Sequence, residues 1–279
     1  MTRRRFLRVG LIVAVMALGF WWWNRRQPVL PTNIYEGVTY GCERLNSDGE
    51  GSGLVHWVRV DLAAPGIELY VTPLDPDAVA LGWQFRLRHT GAAVQDDNLA
   101  VGINATMFDS NSGWLPLAGD LARARETTVA DHQVSHIWEH TYLLWFDDEL
   151  TPRIETSKPP SAAVLDKARW GVGGQGVGLN RGSVGDFIDR RPADARTAVG
   201  IDRPQKLLFL AVFESASPRR ALKKLAELGA IDGMLLDGGN STSMALGEKS
   251  RGVRPGVLLS GWRPVATHFG VRANALRPN

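Results

Sequence analysis

The sequence holds a single cysteine, Cys42, among 279 residues. An intrachain disulfide is therefore excluded, and so is any zinc site that needs several thiolates. A strong charge of one sign is also missing. The formal net charge is +3, and six arginines lie within the first 26 residues, which leaves the rest near neutral or slightly acidic. Such a balance gives little electrostatic steering and does not point to nucleic acid. The N-terminal apolar run, residues 9–23, has 15 residues, short of the ~20 of a comfortable transmembrane helix. Hydrophobic content of 44% and charged content of 22% are those of a globular chain, long enough for one large domain or two small ones.

The N-terminus is nonetheless distinctive. Thr2-Arg3-Arg4-Arg5-Phe6-Leu7-Arg8 precedes the apolar run, and a basic segment before an apolar one is an export pattern. The order Thr-Arg-Arg-x-Phe-Leu-Arg resembles a bacterial twin-arginine signal. Trp21, Trp22 and Trp23 suit a membrane interface, with Arg25 and Arg26 behind them. Cleavage after Val15-Met16-Ala17 would leave an apolar stub, so residues 1–23 are expected to stay as an uncleaved anchor. The arginine excess before the run places the N-terminus inside and the domain outside. The expected location is the bacterial inner membrane, with the domain in the periplasm or beyond the cell. Residues 24–34, with two prolines, read as a linker, and residues 35–279 as one domain.

The body is strand-rich. Residues 54–62 and 67–72 look like a hairpin pair, and residues 79–94 admit a helix. Residues 99–103 form a short apolar strand that ends at Asn104, whose amide can both donate and accept, with Asp109 following. Trp114, in the next loop, either stacks on a sugar ring or packs internally. His132, His136 and His140 are spaced by four. On one helix they would share a metal-binding face, but the strand-like residues 141–146 argue against that helix. Gly171-Val172-Gly173-Gly174-Gln175-Gly176 matches Gly-x-Gly-x-x-Gly yet lacks the flanking strand and helix of a dinucleotide site. It reads instead as a glycine-rich loop.

The clearest unit covers residues 196–237. Residues 196–202 and 207–213 read as strands, and Ser217-Pro218 reads as a helix start. Apolar periodicity continues to Gly229, and residues 231–236 form a further apolar strand. Strand, helix, strand predicts a right-handed crossover between parallel strands. The expected fold class is therefore α+β, a mixed β-sheet core with at least one parallel strand-helix-strand unit, preceded by the anchor helix. Parallel strands would deliver Glu214 and Asp237 to one sheet edge, as two unrelated rim acids or as an acid/base pair. Gly238 and Gly239 let a ligand approach the backbone, and Ser241 and Thr242 add small donors. Near the end, Arg263 and His268 are candidates for an anionic substrate.

Four motifs in order resemble the phosphodiester glycosidase family over roughly residues 94–271. The family includes the enzyme that uncovers mannose 6-phosphate on lysosomal proteins, and bacterial proteins tied to exopolysaccharide metabolism. Asn104-Ala105-Thr106-Met107-Phe108 is similar to its Asn-Gly/Ala-Gly-x-Phe, and Arg196-Thr197-Ala198 to its Arg-Thr-Ala. Residues 236–244 are similar to Leu-Asp-Gly-Gly-Gly-Ser-Ser-Thr-Met, and Arg263-Pro264-Val265-Ala266-Thr267 to Arg-Pro-Val-Ala-Asn. Thr106, Asn240 and Thr267 depart from the pattern.

The resemblance implies hydrolysis of a sugar 1-phosphodiester such as an N-acetylglucosamine 1-phosphodiester. It suggests Asp237 as the acid/base, Glu214 as a second carboxylate, and Arg196 or Arg263 on the phosphate. Asn104, Asp109, Gly238, Gly239, Ser241, Thr242 and His268 are then expected around the substrate. No metal ligand is assigned, and a divalent cation is left open. Expected partners are a sugar phosphodiester or glycan and, through the anchor, the membrane. Two rival functions remain: a non-catalytic envelope glycan-binding protein, and a metal-dependent phosphodiesterase built on the histidines.

Overall fold

The computed structural model describes residues 27–47, 49–113, 115–140, 142–185 and 191–277. The anchor expected in residues 1–23, and Trp114, lie outside the described residues. Among the described residues, no helix is long and apolar enough to cross a membrane.

A large sheet dominates. Its order is β1 (Val29–Tyr35), β2 (Val38–Arg44), β3 (Gly51–Asp61), β16 (Leu207–Ala216), β15 (Asp194–Asp202), β17 (Asp232–Leu235), β13 (Trp170–Asn180), β11 (Tyr142–Phe146) and β12 (Pro152–Glu155). Strand β9 (Thr128–Ala130) pairs with β13 and with β10 (Gln133–Val134), and β14 (Ser183–Val184) also joins β13. A second sheet runs β19 (Gly256–Ser260), β18 (Ser243–Leu246), β6 (Val101–Asn104), β20 (His268–Arg272) and β4 (Glu68–Val71). A small third sheet holds β5 (Phe85–Arg86), β8 (Leu121–Ala124) and β7 (Phe108–Ser110). The helices are α1 (Pro76–Ala80), α2 (Thr90–Asp96), α3 (Ala162–Leu165) and α4 (Pro218–Glu227).

Alternation along the strands explains the layering. Val58, Val60, Val199, Ile201 and Val212 pack against Val101, Ile103, Phe269 and Val271 of the second sheet. The opposite face of the large sheet, with Ala198, Phe209, Ala211 and Phe213, takes Ala221, Leu222 and Leu225 of α4. Helix α4 begins as its sequence implies, since Ser217 Oγ accepts the Arg220 N–H at 3.1 Å and Pro218 follows the cap.

Several expectations change. The fold is mostly β and its sheets are antiparallel throughout, so the mixed sheet with a parallel pair is not formed. Strands β16 and β17 do point the same way, because each runs antiparallel to β15. They do not pair because both edges of β16 are already taken, by β15 and by β3. The crossover through α4 therefore passes over β15 to its free edge. The expected hairpin of residues 54–62 and 67–72 also fails, since β3 pairs with β2 and β16 while β4 pairs with β20 in the other sheet. The expected helix over residues 79–94 is broken into the end of α1, strand β5 and the start of α2. The expected linker contains most of β1.

The glycine-rich stretch at residues 171–176 is not a loop but the first half of β13. A Cβ on Gly174 would lie 2.5 Å from the Leu235 carbonyl oxygen. The missing side chain is what allows β13 and β17 to approach. Low apolarity made this strand look like a loop.

Candidate functional site

The two packed sheets meet at one end, and Asp237 sits on that seam. Leu236 N–H donates to the Thr197 carbonyl at 2.9 Å, on the large sheet. Asp237 N–H donates to the Ala105 carbonyl at 3.0 Å, just beyond β6 of the second sheet. One peptide step thus crosses between the layers and fixes the Asp237 carboxyl.

Asn104 locks the same crossing. Its Nδ2 donates to the Asp237 carbonyl at 2.7 Å. Its Oδ1 accepts from Thr197 Oγ1 at 2.6 Å and from Ser243 N–H at 3.0 Å. Asn104 is fully buried, so its amide serves the protein's own strands rather than standing open to a ligand. It positions Asp237.

The turn after Asp237 is short and glycine-dependent. Gly239 has φ +59, a left-handed conformation that disfavours side chains. A Cβ on Gly238 would lie 2.9 Å from the Ala195 carbonyl oxygen. The turn carries Ser241 back under the site, where Ser241 Oγ accepts from Arg263 Nε at 2.9 Å and Nη2 at 2.7 Å. Arg263 Nη2 also lies 3.4 Å from Asp237 Oδ2. The guanidinium stacks over Phe108, 4.9 Å from its ring centre. Arg263 is thus held on three sides with part of its surface open.

Burial raises the Asp237 pKa above the ordinary carboxylate range, while Ser241, Arg263 and the Gly238 backbone oppose the rise. A second acid stands nearby. Glu126, between β8 and β9, is buried, and burial together with the Asp237 charge pushes its pKa up to about 8. Its Oε2 has no hydrogen-bond partner. Arg263 and Ser241 favour the charged form of Asp237, and a charge there opposes ionisation of Glu126. Two carboxyls in different surroundings, one against an arginine and one without a hydrogen-bond partner on Oε2, can divide acid and base roles.

Glu126 lines a cleft of about 730 Å³ with Met107, Asp109, Arg125, His136, Trp138 and Gln175 among others. Arg125 donates to Asp109 from two nitrogens, Nε at 3.0 Å and Nη2, in a bidentate pair. Trp138 Nε1 is buried without a partner. Sequence reading missed Glu126, Arg125 and Trp138. A lone Glu between Arg125 and a run of threonines gives no spacing signal, because its partner acid lies more than a hundred residues away.

Of the other expected residues, Arg196 lies against the turn after Asp237, where a Cβ on Gly238 would come 3.4 Å from its Nη1, and the rest are dispersed. Arg196 is buried, donating from Nε to the Ala216 carbonyl at 3.3 Å and from Nη2 to the Pro192 carbonyl at 2.9 Å. Glu214 accepts the Leu54 N–H at 3.0 Å and lines a different cleft, together with Thr242. Asp237 and Glu214 do share one end of the sheet, but Glu214 lines a cleft that Asp237 does not. His268 is buried, and burial lowers its pKa to about 3. It is therefore neutral near pH 7 and is no cation for a phosphate. Asp109 lines the Glu126 cleft through its pair with Arg125.

No helix joins His132, His136 and His140. A turn and strand β10 intervene, and His132 instead contacts Asp148 at 3.2 Å. Among the described residues no group of three or more His, Cys, Asp or Glu is placed to hold a metal.

The departures from the family pattern also find their place. Thr106 Oγ1 and Thr267 Oγ1 hydrogen-bond to each other at 2.7 Å, and the Thr106 N–H donates to Thr267 Oγ1 at 3.0 Å. Both residues are buried. They bond to each other in the interior, and neither lines the cleft that holds Glu126.

Two buried acids that feel each other's charge, Asp237 against Arg263 and Glu126 next to Arg125, suit acid–base hydrolysis of an anionic substrate. The sequence profile of phosphodiester glycosidases matches residues 97–272, and the chain belongs to that family of glycosidase-type hydrolases acting on phosphodiester-linked sugars. Among solved structures, it is similar to the zebrafish N-acetylglucosamine-1-phosphodiester alpha-N-acetylglucosaminidase catalytic domain, auto-inhibited by its pro-peptide. That match has 15% identity and a TM-score of 0.61, covering 89% of this chain and 87% of that one. A hypothetical protein from Synechocystis matches at 14% identity and a TM-score of 0.54, covering 85% of this chain and 62% of that one. At such identities the likeness shows a shared fold. No curated protein matches the chain significantly.

Proposed function

We propose that the chain hydrolyses a sugar 1-phosphodiester, releasing the sugar and leaving a phosphomonoester. The observation that carries this reading is two buried acids within reach of each other's charge, Asp237 held by Arg263 at 3.4 Å and Glu126 lining a cleft with Arg125. Water attacks the sugar C1, and the C1–O bond to phosphorus breaks. The departing oxygen keeps the electron pair. Asp237, beside Arg263, takes the water proton. Glu126, protonated near neutral pH, gives a proton to the departing phosphate oxygen and recovers it afterwards. Arg263 and Arg125 attract the phosphate charge. An N-acetylglucosamine 1-phosphodiester is the substrate we would offer, by analogy with the zebrafish enzyme's name.

The test is incubation with a synthetic N-acetylglucosamine 1-phosphodiester, with and without chelator. Free sugar and phosphomonoester are expected. Glu126→Gln and Asp237→Asn are each expected to lose on the order of 10²-fold or more in turnover. Near-wild-type turnover of either variant would remove that residue from its role. Activity abolished by chelation would favour a metal-dependent phosphodiesterase instead. A departure at Thr106 would favour a non-catalytic glycan-binding protein if it altered the cleft, and its buried pairing with Thr267 counts against that alternative.

We further propose that the activity is extracytoplasmic, with the domain tethered to the bacterial inner membrane by its N-terminal segment. The support is the basic and apolar order of residues 2–23. Fractionation of the full chain tests this, and recovery in the cytosol would overturn it.

A further inference from the structure

A second cleft lies against the turn after Asp237, at Gly239, Asn240 and Thr242. It has about 570 Å³ and is lined by Ser52, Glu214, Asn240, Thr242, Ser260 and Trp262 among others. It shares no residue with the cleft that holds Glu126.

Its chemistry is unlike the first. Trp262 is 55% exposed, an unusual state for the largest apolar side chain. Its seat is nevertheless fixed. The neighbouring Gly261 N–H donates to the Thr242 carbonyl at 2.6 Å, and a Cβ on Gly261 would collide with the Asn240 carbonyl oxygen. Thr242 is buried, yet its Oγ1 has no hydrogen-bond partner. A buried hydroxyl left unsatisfied is costly, and a ligand's polar group can satisfy it. Asn240 is exposed and supplies both a donor and an acceptor. Among the described residues, the charged side chain in this lining is the acid Glu214, and no lysine or arginine contributes. An anion is therefore disfavoured. An aromatic face beside amide, hydroxyl and carboxylate groups suits a neutral polyol, with its C–H face on the ring and its hydroxyls on the polar rim.

We infer that this cleft is a saccharide-binding site, separate from the acid pair, that holds a neutral segment of an oligosaccharide. The shared turn couples the two sides, since Ser241 grips Arg263 while Asn240 and Thr242 face the second cleft. The site would grip a polymer while the acid pair works on a phosphodiester. Binding here can be read without turnover, so its failure and that of the hydrolysis proposal are distinguishable.

The experiment applies the full chain to an array of neutral oligosaccharides, including N-acetylglucosamine, glucose and mannose oligomers. Affinity for each one retained is then titrated by tryptophan fluorescence. Trp262→Ala is expected to weaken binding roughly tenfold or more. It should leave hydrolysis of the small N-acetylglucosamine 1-phosphodiester unchanged. Thr242→Val is the second probe. Because Thr242 Oγ1 bonds nothing in the free protein, thermal stability should hold or rise while oligosaccharide affinity falls. Retention of no array member, or equal affinity in Trp262→Ala, would overturn the inference. A loss of stability in Thr242→Val without loss of affinity would overturn the role given to that hydroxyl.

Discussion

Asn104→Ala tests the reading of the seam. The substitution removes one donor and one acceptor that together satisfy three buried groups. The Asp237 carbonyl loses its bond from Nδ2, and Thr197 Oγ1 and the Ser243 N–H lose Oδ1. All three residues are buried, so water cannot simply replace the amide. Each stranded group costs about 1–3 kcal/mol. Local relaxation recovers part of the total, and we expect a net loss of about 3–5 kcal/mol. That is a large share of the roughly 5–15 kcal/mol that holds a folded domain together. The assay is guanidinium unfolding followed by tryptophan fluorescence, run beside the turnover assay. Turnover should fall as well, because Asp237 loses the contact that aims it. A loss below about 1 kcal/mol would refute the clamp. If stability held while substrate binding disappeared, Asn104 would return to the ligand role that its motif first suggested.

Two further predictions follow from the same region. The Glu126 pKa is raised from its ordinary value to about 8 by burial, so the folded state holds that proton more tightly than the unfolded chain does. Its stabilising contribution is full below about pH 4.5 and is lost as pH rises toward 8. Melting temperatures of wild type should therefore fall more steeply than those of Glu126→Gln between pH 5 and pH 8, and parallel curves would contradict the assignment. In the buried threonine pair, Thr267→Val strands both the Thr106 N–H and its hydroxyl, whereas Thr106→Val leaves the backbone bond intact. The first should cost more, about 1–3 kcal/mol, with a coupling of about 1 kcal/mol in the double-mutant cycle; equal costs and simple additivity would argue against the pair.

Local signals in the sequence were reliable where the chain's own neighbours decide the outcome. The Ser217-Pro218 helix start, the apolar strands of residues 99–103 and 207–213, and the turn after Asp237 all appear where the pattern puts them. What failed depended on partners distant in sequence. Nothing in residues 207–237 reveals that β3 already occupies the far edge of β16, so the crossover was read as a parallel pair. Strand β13 hid behind its glycines because its stability comes from neighbours on both edges. The site divides in the same way. Asp237, Ser241 and Arg263 are legible as motif residues and do converge. Glu126 is not, because a buried acid is defined by the cleft around it.

The three departures from the family pattern bear on whether this chain still works as an enzyme. If they marked a lost function, they should fall on the groups that do chemistry or on those groups' supports. They do not. Thr106 and Thr267 face each other in the interior and hydrogen-bond to each other. Asn240 lies on the outer side of the turn, in the cleft with Trp262. None of their described hydrogen bonds reaches Asp237, Glu126 or Arg263. The one departure that changes an exposed surface thus falls where a polymer would be read, not where its phosphodiester would be cut. Substitution at Asn240 should accordingly alter which long substrates are preferred and spare the cleavage of short ones. Asn240→Gly compared with wild type on a polymer and on the small diester makes the distinction. A uniform loss on both would place Asn240 with the catalytic side of the turn.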